Sequence, residues 1–321
     1  MTGGAGYVGS HANRLLTQSG YRTVVYDNLL YGHAEHVPKG SVLVQADLGD
    51  AATLEETFAR FPIHTVMHFA SYTAVGESTV DPERYYLHNV GGAMNLVAAM
   101  RRHGVARIIF SSSAAVYGKP EVVPIIETAP LAPINPYGRT KLIIERLLED
   151  YAHAYGMRFV ALRYFNAAGA DASGEIGEDH TPETHLIPNA LHAALGMLPR
   201  MQIFGDDYPT PDGTCVRDYV HVSDLATAHL LALGHLSRGG ESGAFNVGLG
   251  RGFSVREVLA AVERVTGKEV PVLVGPRREG DPPTLVADST KLQTQLGWRP
   301  ERTDIETIVR DAHRYHARRF G

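Results

Sequence analysis

The chain has 321 residues, 44% of them hydrophobic and 20% charged, which suits a globular protein with one large α/β domain or a large and a smaller one. A net charge of −5 argues against nucleic acid or an anionic membrane as partner. No apolar run approaches the ~18 residues that span a bilayer, no basic-then-apolar leader is present, and a single cysteine, Cys215, excludes an intramolecular disulfide, so a cytoplasmic location is expected.

The chain opens on Thr2-Gly3-Gly4-Ala5-Gly6-Tyr7-Val8-Gly9. Gly3, Gly6 and Gly9 at this spacing let the backbone turn tightly and approach a pyrophosphate at the N-terminus of a helix starting near Val8. A doubly wound fold normally enters such a loop from a buried strand of about four to six apolar residues. Here only Met1 and Thr2 precede Gly3. A GTG valine codon taken as the start would account for this; if Met1 is the true terminus, the centre of the sheet is expected to be open, at a cost in stability or cofactor binding.

Residues 22–27, 41–47, 65–69, 107–112 and 158–164 are β-branched or aliphatic runs with helical patterns between them. This alternation predicts a doubly wound, Rossmann-like parallel sheet with ligands at the carboxyl ends of its strands. From about Asn166 the rhythm breaks, and stretches rich in Gly, Pro and Asp (169–183, 205–213, 275–284) separate short elements. The predicted organisation is a nucleotide-binding domain over 1–165 and a smaller substrate-binding α/β region over 166–321, with partial interleaving expected from 202–204 and 216–222.

Asp27 ends the predicted strand that follows the glycine loop, 18 residues beyond Gly9, where a carboxylate accepts adenosine ribose hydroxyls and repels a 2′-phosphate. Asn28-Leu29-Leu30 follow with no arginine, which favours NAD over NADP. Asp47, at the end of the next strand, is a candidate for the adenine edge. Tyr137-Gly-Arg-Thr-Lys141 leads a run with helical apolar spacing, so the phenol and the ammonium share one helix face. A phenol titrates near pH ~10, and a neighbouring cation is expected to favour its phenolate. Ser113, closing the strand 107–112, completes a serine, tyrosine and lysine set for moving a hydroxyl proton. Glu178, Asp179, His180, Glu183 and His185 follow no familiar zinc or calcium spacing, and prolines flank them. A loop over the substrate is expected there, with His185 toward it and no metal. Nothing pairs Cys215 with a base for nucleophilic work.

Taken together, TGGAGYVGSH, VVYDNL, SSSAAVYG, PYGRTK, RYFNAAGA, GTCVRDYVHV, FNVG and RREGDPP closely resemble the extended short-chain dehydrogenase/reductase superfamily, and within it the UDP-glucose 4-epimerase family, nearly end to end. The resemblance implies NAD contacts from Tyr7, Val8, Asp27, Asn28, Asp47, Leu48, Phe69, Ala70, Lys141 and Phe165. It implies sugar contacts from Ser113 and Tyr137, and nucleotide or diphosphate contacts from Asn166, Leu186, Arg217, Arg278 and Asp281. It also implies a UDP-sugar substrate, a homodimer joined through helices near 82–103 and 137–155, and a pocket gate near sugar carbon 2 that falls on Leu285. Two departures stand out: Thr73 replaces a frequent lysine, and His88 precedes Asn89 where some members have two asparagines. Related 4,6-dehydratases carry an Asp-Glu pair where this chain has Ala114-Ala115, which can supply neither acid nor base; a non-catalytic NAD-sensing protein on the same fold is the other rival.

Overall fold

Strands joined by helical crossovers run parallel and must bury both faces. The computed structural model describes residues 1–278 and 281–321. Strands Val24–Asp27, Val42–Gln45, Val66–His68, Arg107–Ser113 and Arg158–Tyr164 form where the sequence predicts them. A further strand, Gly243–Val247, comes from the second half of the chain and pairs in parallel with Arg158–Tyr164. The order across the sheet is therefore Val42–Gln45, Val24–Asp27, the bridge at Thr2, Val66–His68, Arg107–Ser113, Arg158–Tyr164 and Gly243–Val247.

The opening expected at the centre of this sheet is closed at its carboxyl edge. Thr2 bridges in parallel to both Tyr26 and His68. Its N–H donates to Met67 O at 3.0 Å, its carbonyl accepts from Phe69 and Ala70 at 2.9 and 3.1 Å, and Gly3 N–H donates to Tyr26 O at 3.0 Å. Tyr26 N–H also donates to Met1 O at 2.8 Å, so Met1 pairs with Val24–Asp27 while Thr2 carries the hydrogen bonds to Met67, Phe69 and Ala70. The Met1 amine donates to Val24 O at 2.6 Å, and burial lowers its pKa to about 5.

Alternate residues of each strand feed separate cores, as the two-residue side-chain period requires. Ile108, Phe110 and Phe159 pack with Leu54, Leu96, Ile144 and Leu148 on one face. Ile109, Val160 and Leu162 pack with Leu16, Leu225, Phe245 and Trp298 on the other. A third core, built from Ile187, Leu191, Ile203, Val258, Val262 and Ile308, belongs to the second half of the chain. There Met201–Phe204 pairs with Val272–Gly275, so residues 202–204 remain with that half rather than interleaving. Interleaving falls instead to Gly243–Val247 and to helix Val222–Ser237, which packs on helix Tyr7–Gln18.

Helix Pro136–Tyr155 carries the tyrosine and lysine. Asn135 caps it by accepting from Gly138 N–H at 2.8 Å, Pro136 starts it, and Gly156 ends it in the left-handed region at φ 68°. A buried ion pair fixes this helix to the sheet. Arg163 Nη2 donates to Glu145 Oε2 at 2.6 Å and its Nε to Oε1 at 3.0 Å, with side chains 5% and 3% exposed. The Ser112 hydroxyl donates to the same carboxylate, and Arg163 Nη1 donates to the Tyr117 hydroxyl at 2.9 Å. Fork-to-fork pairing of this kind fixes geometry as well as energy.

Removing one partner strands the other as a buried charge. Arg163→Met should destabilise the protein by about 3–5 kcal/mol, and Glu145→Met with Arg163→Met together should cost clearly less than the sum of the two single changes. Urea denaturation of the three variants measures this; a single change costing under about 1 kcal/mol would contradict the assigned role.

Candidate active site

All the parallel strands deliver their carboxyl ends to one edge, and the glycine loop lies along it. Gly3 is left-handed at φ 69°, and a Cβ there would lie 2.4 Å from Ala70 N; a Cβ on Gly9 would lie 2.1 Å from Gly3 O. Those two glycines are required by the protein's own packing. Gly6 differs: a Cβ there would meet only Gly3 O, at an ordinary 3.6 Å, so its bare backbone leaves room on the ligand side. Gly6 precedes helix Tyr7–Gln18, which has no side-chain cap and no acid in its first turn. Free N–H groups and the positive end of the helix dipole make this an anion site. The Tyr7 hydroxyl is committed to Gly169 O at 2.6 Å, so Tyr7 and Val8 offer their backbone.

Asp27 is buried, and each carboxylate oxygen accepts one backbone N–H, from Ala5 and from Leu29, both at 2.9 Å. A carboxylate has about four acceptor sites, so capacity remains for two ribose hydroxyls. Among the described residues no arginine pairs with it. Asn28 donates to Asp47 Oδ2 at 2.7 Å, and Asp47 Oδ1 accepts from Gly49 N–H at 2.7 Å, beside the buried Leu48. These four residues form one continuous shelf at the edge of the sheet. Phe69 and Ala70 follow the next strand, and both hydrogen-bond through their N–H groups to Thr2 O.

Ser113, Tyr137 and Lys141 come together as the sequence predicts. The Ser113 hydroxyl accepts from Ala115 N–H at 3.1 Å. Lys141 is 2% exposed, and its Nζ donates to Ser111 O at 2.8 Å and lies 5.7 Å from the centre of the Tyr137 ring. An ammonium has three donors, so two remain for a ligand. The phenol does not behave as the spacing alone predicts. Burial raises the Tyr137 pKa, and the Ser113 hydroxyl pulls it back down. Burial likewise lowers Lys141 to about 7, opposed by Glu145. Desolvation therefore sets the direction for both groups, because both sit in the interior with little water to share their charge.

On the far side, Arg217 and Arg278 converge on Asp281, with N–O separations of 3.7 and 4.0 Å. The Arg278 guanidinium also stacks on Phe204, 4.4 Å from the ring centre. Glu279 and Gly280, between Arg278 and Asp281, lie outside the described residues. Leu285 pairs in register with Arg217 and packs against Ala114, Val116 and Tyr117, just past Ser113. Asn166 opens the strand Asn166–Ala168, Phe165 packs on the same small cluster as Leu285, and Leu186 opens helix Leu186–Ala194. Asn89 spends its amide on Tyr72 and on Thr140 Oγ1, bracing a loop. Thr73 is exposed, and Cys215 is buried.

Phe204, Glu145, Arg163 and Asp218 were missed from sequence. Asp218 accepts N–H groups from Leu249, Gly250 and Ala287, and burial raises its pKa to about 6. The available signal was charge inside apolar strands, as in Arg158-Phe-Val-Ala-Leu-Arg163.

The chain is similar to known proteins along nearly its whole length. Residues 1–248 fit the pattern of the NAD dependent epimerase/dehydratase family. A UDP-glucose 4-epimerase of Halalkalibacterium halodurans is 50% identical over 316 residues, covering 98% of this chain and 94% of the relative. The crystal structure of UDP-glucose 4-epimerase from Brucella ovis in complex with NAD is 51% identical, with a TM-score of 0.95 over 98% of this chain and 97% of that one. The Bifidobacterium longum UDP-glucose 4-epimerase in complex with NAD+ and UDP is 38% identical, with a TM-score of 0.94 over 99% and 97%.

The Lys141 shift has a stability signature. The folded pKa is about 7 and the unfolded value near ~10.4, so between them the unfolded chain holds a proton that the folded chain has released. Stability conferred through this group therefore rises with pH across that window and is lowest below it, where both states are charged. In protein stripped of nucleotide, the thermal midpoint of the wild type should gain on that of Lys141→Met between pH ~7 and ~9. Parallel curves for the two proteins would contradict the shift.

Proposed function

Because this chain belongs to the NAD dependent epimerase/dehydratase family, we propose that it interconverts UDP-glucose and UDP-galactose by oxidising and re-reducing sugar carbon 4. The observation that carries this is the meeting of Ser113, Tyr137 and Lys141 beside an uncapped glycine-helix turn. NAD fits the residues present: the open face at Gly6, the spare acceptors of Asp27 and the two uncommitted donors of Lys141. When bound, NAD supplies the hydride acceptor and donor.

Tyr137 takes the proton from the sugar 4-hydroxyl and returns it after the ketone has turned over. Ser113 holds that oxygen and lowers the phenol's affinity for its proton. Lys141 would hold the ribose hydroxyls of the nicotinamide half, and its positive charge favours the phenolate. Asp27 and Asn28, with Asp47, Leu48, Phe69, Ala70 and Phe165, would hold the rest of the dinucleotide. Asn166, Leu186, Arg217, Arg278 and Asp281 anchor the UDP portion while the sugar rotates, the planar arginine forks matching phosphate oxygens. Ala114 and Ala115 offer no acid or base, which disfavours dehydration.

Leu285 is assigned as the gate near carbon 2, smaller than a tyrosine but bulkier than a serine, giving weak activity on UDP-N-acetylglucosamine. In a coupled assay, Tyr137→Phe should lower turnover of UDP-galactose by ~10²–10⁴ while UDP affinity holds. Leu285→Tyr should abolish the N-acetyl activity and spare the other. Near-normal turnover in the first variant, or unchanged substrate ratios in the second, would remove that residue from its role.

The division at residue 165, with the interleaving described above, is proposed as cofactor half and substrate half. Among the described residues no helix is long and apolar enough to cross a membrane, and with one cysteine in the chain the cytosol is the proposed location. A homodimer is proposed through the face that leaves Leu87, Met94 and Ile143 exposed at 64%, 52% and 40%. Light scattering at micromolar concentration should give twice the mass of one chain; a monomer mass would count against this face.

A further inference from the structure

Between strand Asn166–Ala168 and helix Leu186–Ala194 the chain folds Glu178, His180, Glu183 and His185 into one cluster, with a ligand atom from each lying within 4.8 Å of all the others. Local spacing gave no hint of this, because the loop turns back on itself between the second and third members. The separations run from hydrogen-bond length up to the spacing of ligands around a common ion. His185 Nδ1 lies 2.8 Å from Glu178 Oε1 and 3.2 Å from Glu183 Oε1; His180 Nδ1 lies 3.5 Å from Glu178 Oε1 and 3.7 Å from Glu183 Oε2. Ligands on a tetrahedral zinc ion, at bonds of ~2.0–2.2 Å, stand about 3.4 Å apart.

A second observation separates this from a simple knot of ion pairs. Glu183 is 6% exposed, and its Oε1 accepts N–H groups from Thr184 at 2.7 Å and His185 at 2.8 Å, which fixes the carboxylate plane. The other oxygen, Oε2, is buried without a hydrogen-bond partner and is aimed at His180 Nδ1, itself buried and unpartnered. Their 3.7 Å separation is too long for a hydrogen bond and right for two ligands of one ion. Leaving two such atoms unpaired in the interior is costly, and a cation between them satisfies both.

We propose that Glu178, His180, Glu183 and His185 form a structural site for zinc(II). Two imidazoles and two carboxylates suit a borderline-soft, tetrahedral ion better than calcium or magnesium, which take all-oxygen shells. With four protein ligands the site is closed, so the ion acts as a clamp and not as a Lewis acid toward substrate. What it clamps is the substrate side of the cofactor loop. The His180 ring packs edge-on against Tyr7 and Tyr31, at 6.4 and 6.3 Å, and His185 immediately precedes helix Leu186–Ala194. One ion would tie the helix that starts at Leu186 to the turn that starts at Gly6.

The test uses full-length protein with its bound nucleotide, purified without chelator from zinc-supplied medium. Mass-spectrometric metal analysis should find about one zinc per chain, falling below about a tenth in the double variant Glu178→Gln with Glu183→Gln. Stripping the wild type with dipicolinate should lower its thermal midpoint, and adding zinc chloride should restore it; the double variant should respond to neither. The strip-and-restore measurement on wild type stands alone if the variant fails to fold. Wild-type protein that carries less than about a tenth of a zinc per chain and shows no midpoint shift on adding zinc overturns the proposal. So does a folded double variant that keeps its zinc, because the metal is then bound elsewhere.

Discussion

Glu145 and Arg163 meet in the interior with both carboxylate oxygens and two guanidinium nitrogens paired, so the helix and the strand that carry them can neither slide nor separate without stranding a charge. The consequences run along one helix face. Tyr137, Lys141 and Glu145 are spaced four residues apart, and three successive serines of strand Arg107–Ser113 meet them in turn. Ser111 O accepts from Lys141, the Ser112 hydroxyl donates to Glu145, and the Ser113 hydroxyl lies beside Tyr137. The ion pair at the deep end therefore sets the position of Ser113, Tyr137 and Lys141, the proposed proton-transfer groups, at the open end.

Depth also sets their electrostatics. Tyr137 and Lys141 are both removed from water, so the neutral phenol and the neutral amine are each favoured relative to their charged forms. A phenolate and an ammonium contain the same number of protons as a phenol and an amine. The balance between these two arrangements responds to any nearby charge. In the proposed mechanism a bound oxidised cofactor would add positive charge here, and Tyr137 would then serve as the base for a sugar hydroxyl.

What was legible in the sequence was local. Five strands of the sheet, the glycine turn and the tyrosine–lysine spacing all follow from periodicity and residue type over a few positions. Strand Gly243–Val247 was not assigned to this sheet, because its partner lies about eighty residues upstream and its core-facing side chains match those of several other short runs. Glu145 looks like an ordinary exposed helix charge until the sheet is assembled against it and Arg163 meets it in the interior. Burial reversed the expected direction of the Tyr137 shift for the same reason: the spacing gives a neighbour, whereas the dielectric comes from the whole fold. The convergence of Glu178, His180, Glu183 and His185 is likewise a property of a loop path. The bridge at Thr2 is also a property of the assembled sheet, joining Tyr26 to His68 at the edge where the site lies.

The central claim is that this fold retains NAD and uses it to invert sugar carbon 4 without net redox change. It is tested most directly by supplying UDP-galactose to the purified wild-type protein with no cofactor added, assaying for UDP-glucose, and identifying the nucleotide released on denaturation by mass spectrometry. The account predicts steady formation of UDP-glucose and release of NAD. No UDP-glucose even with NAD supplied, or release of NADP in its place, would contradict it.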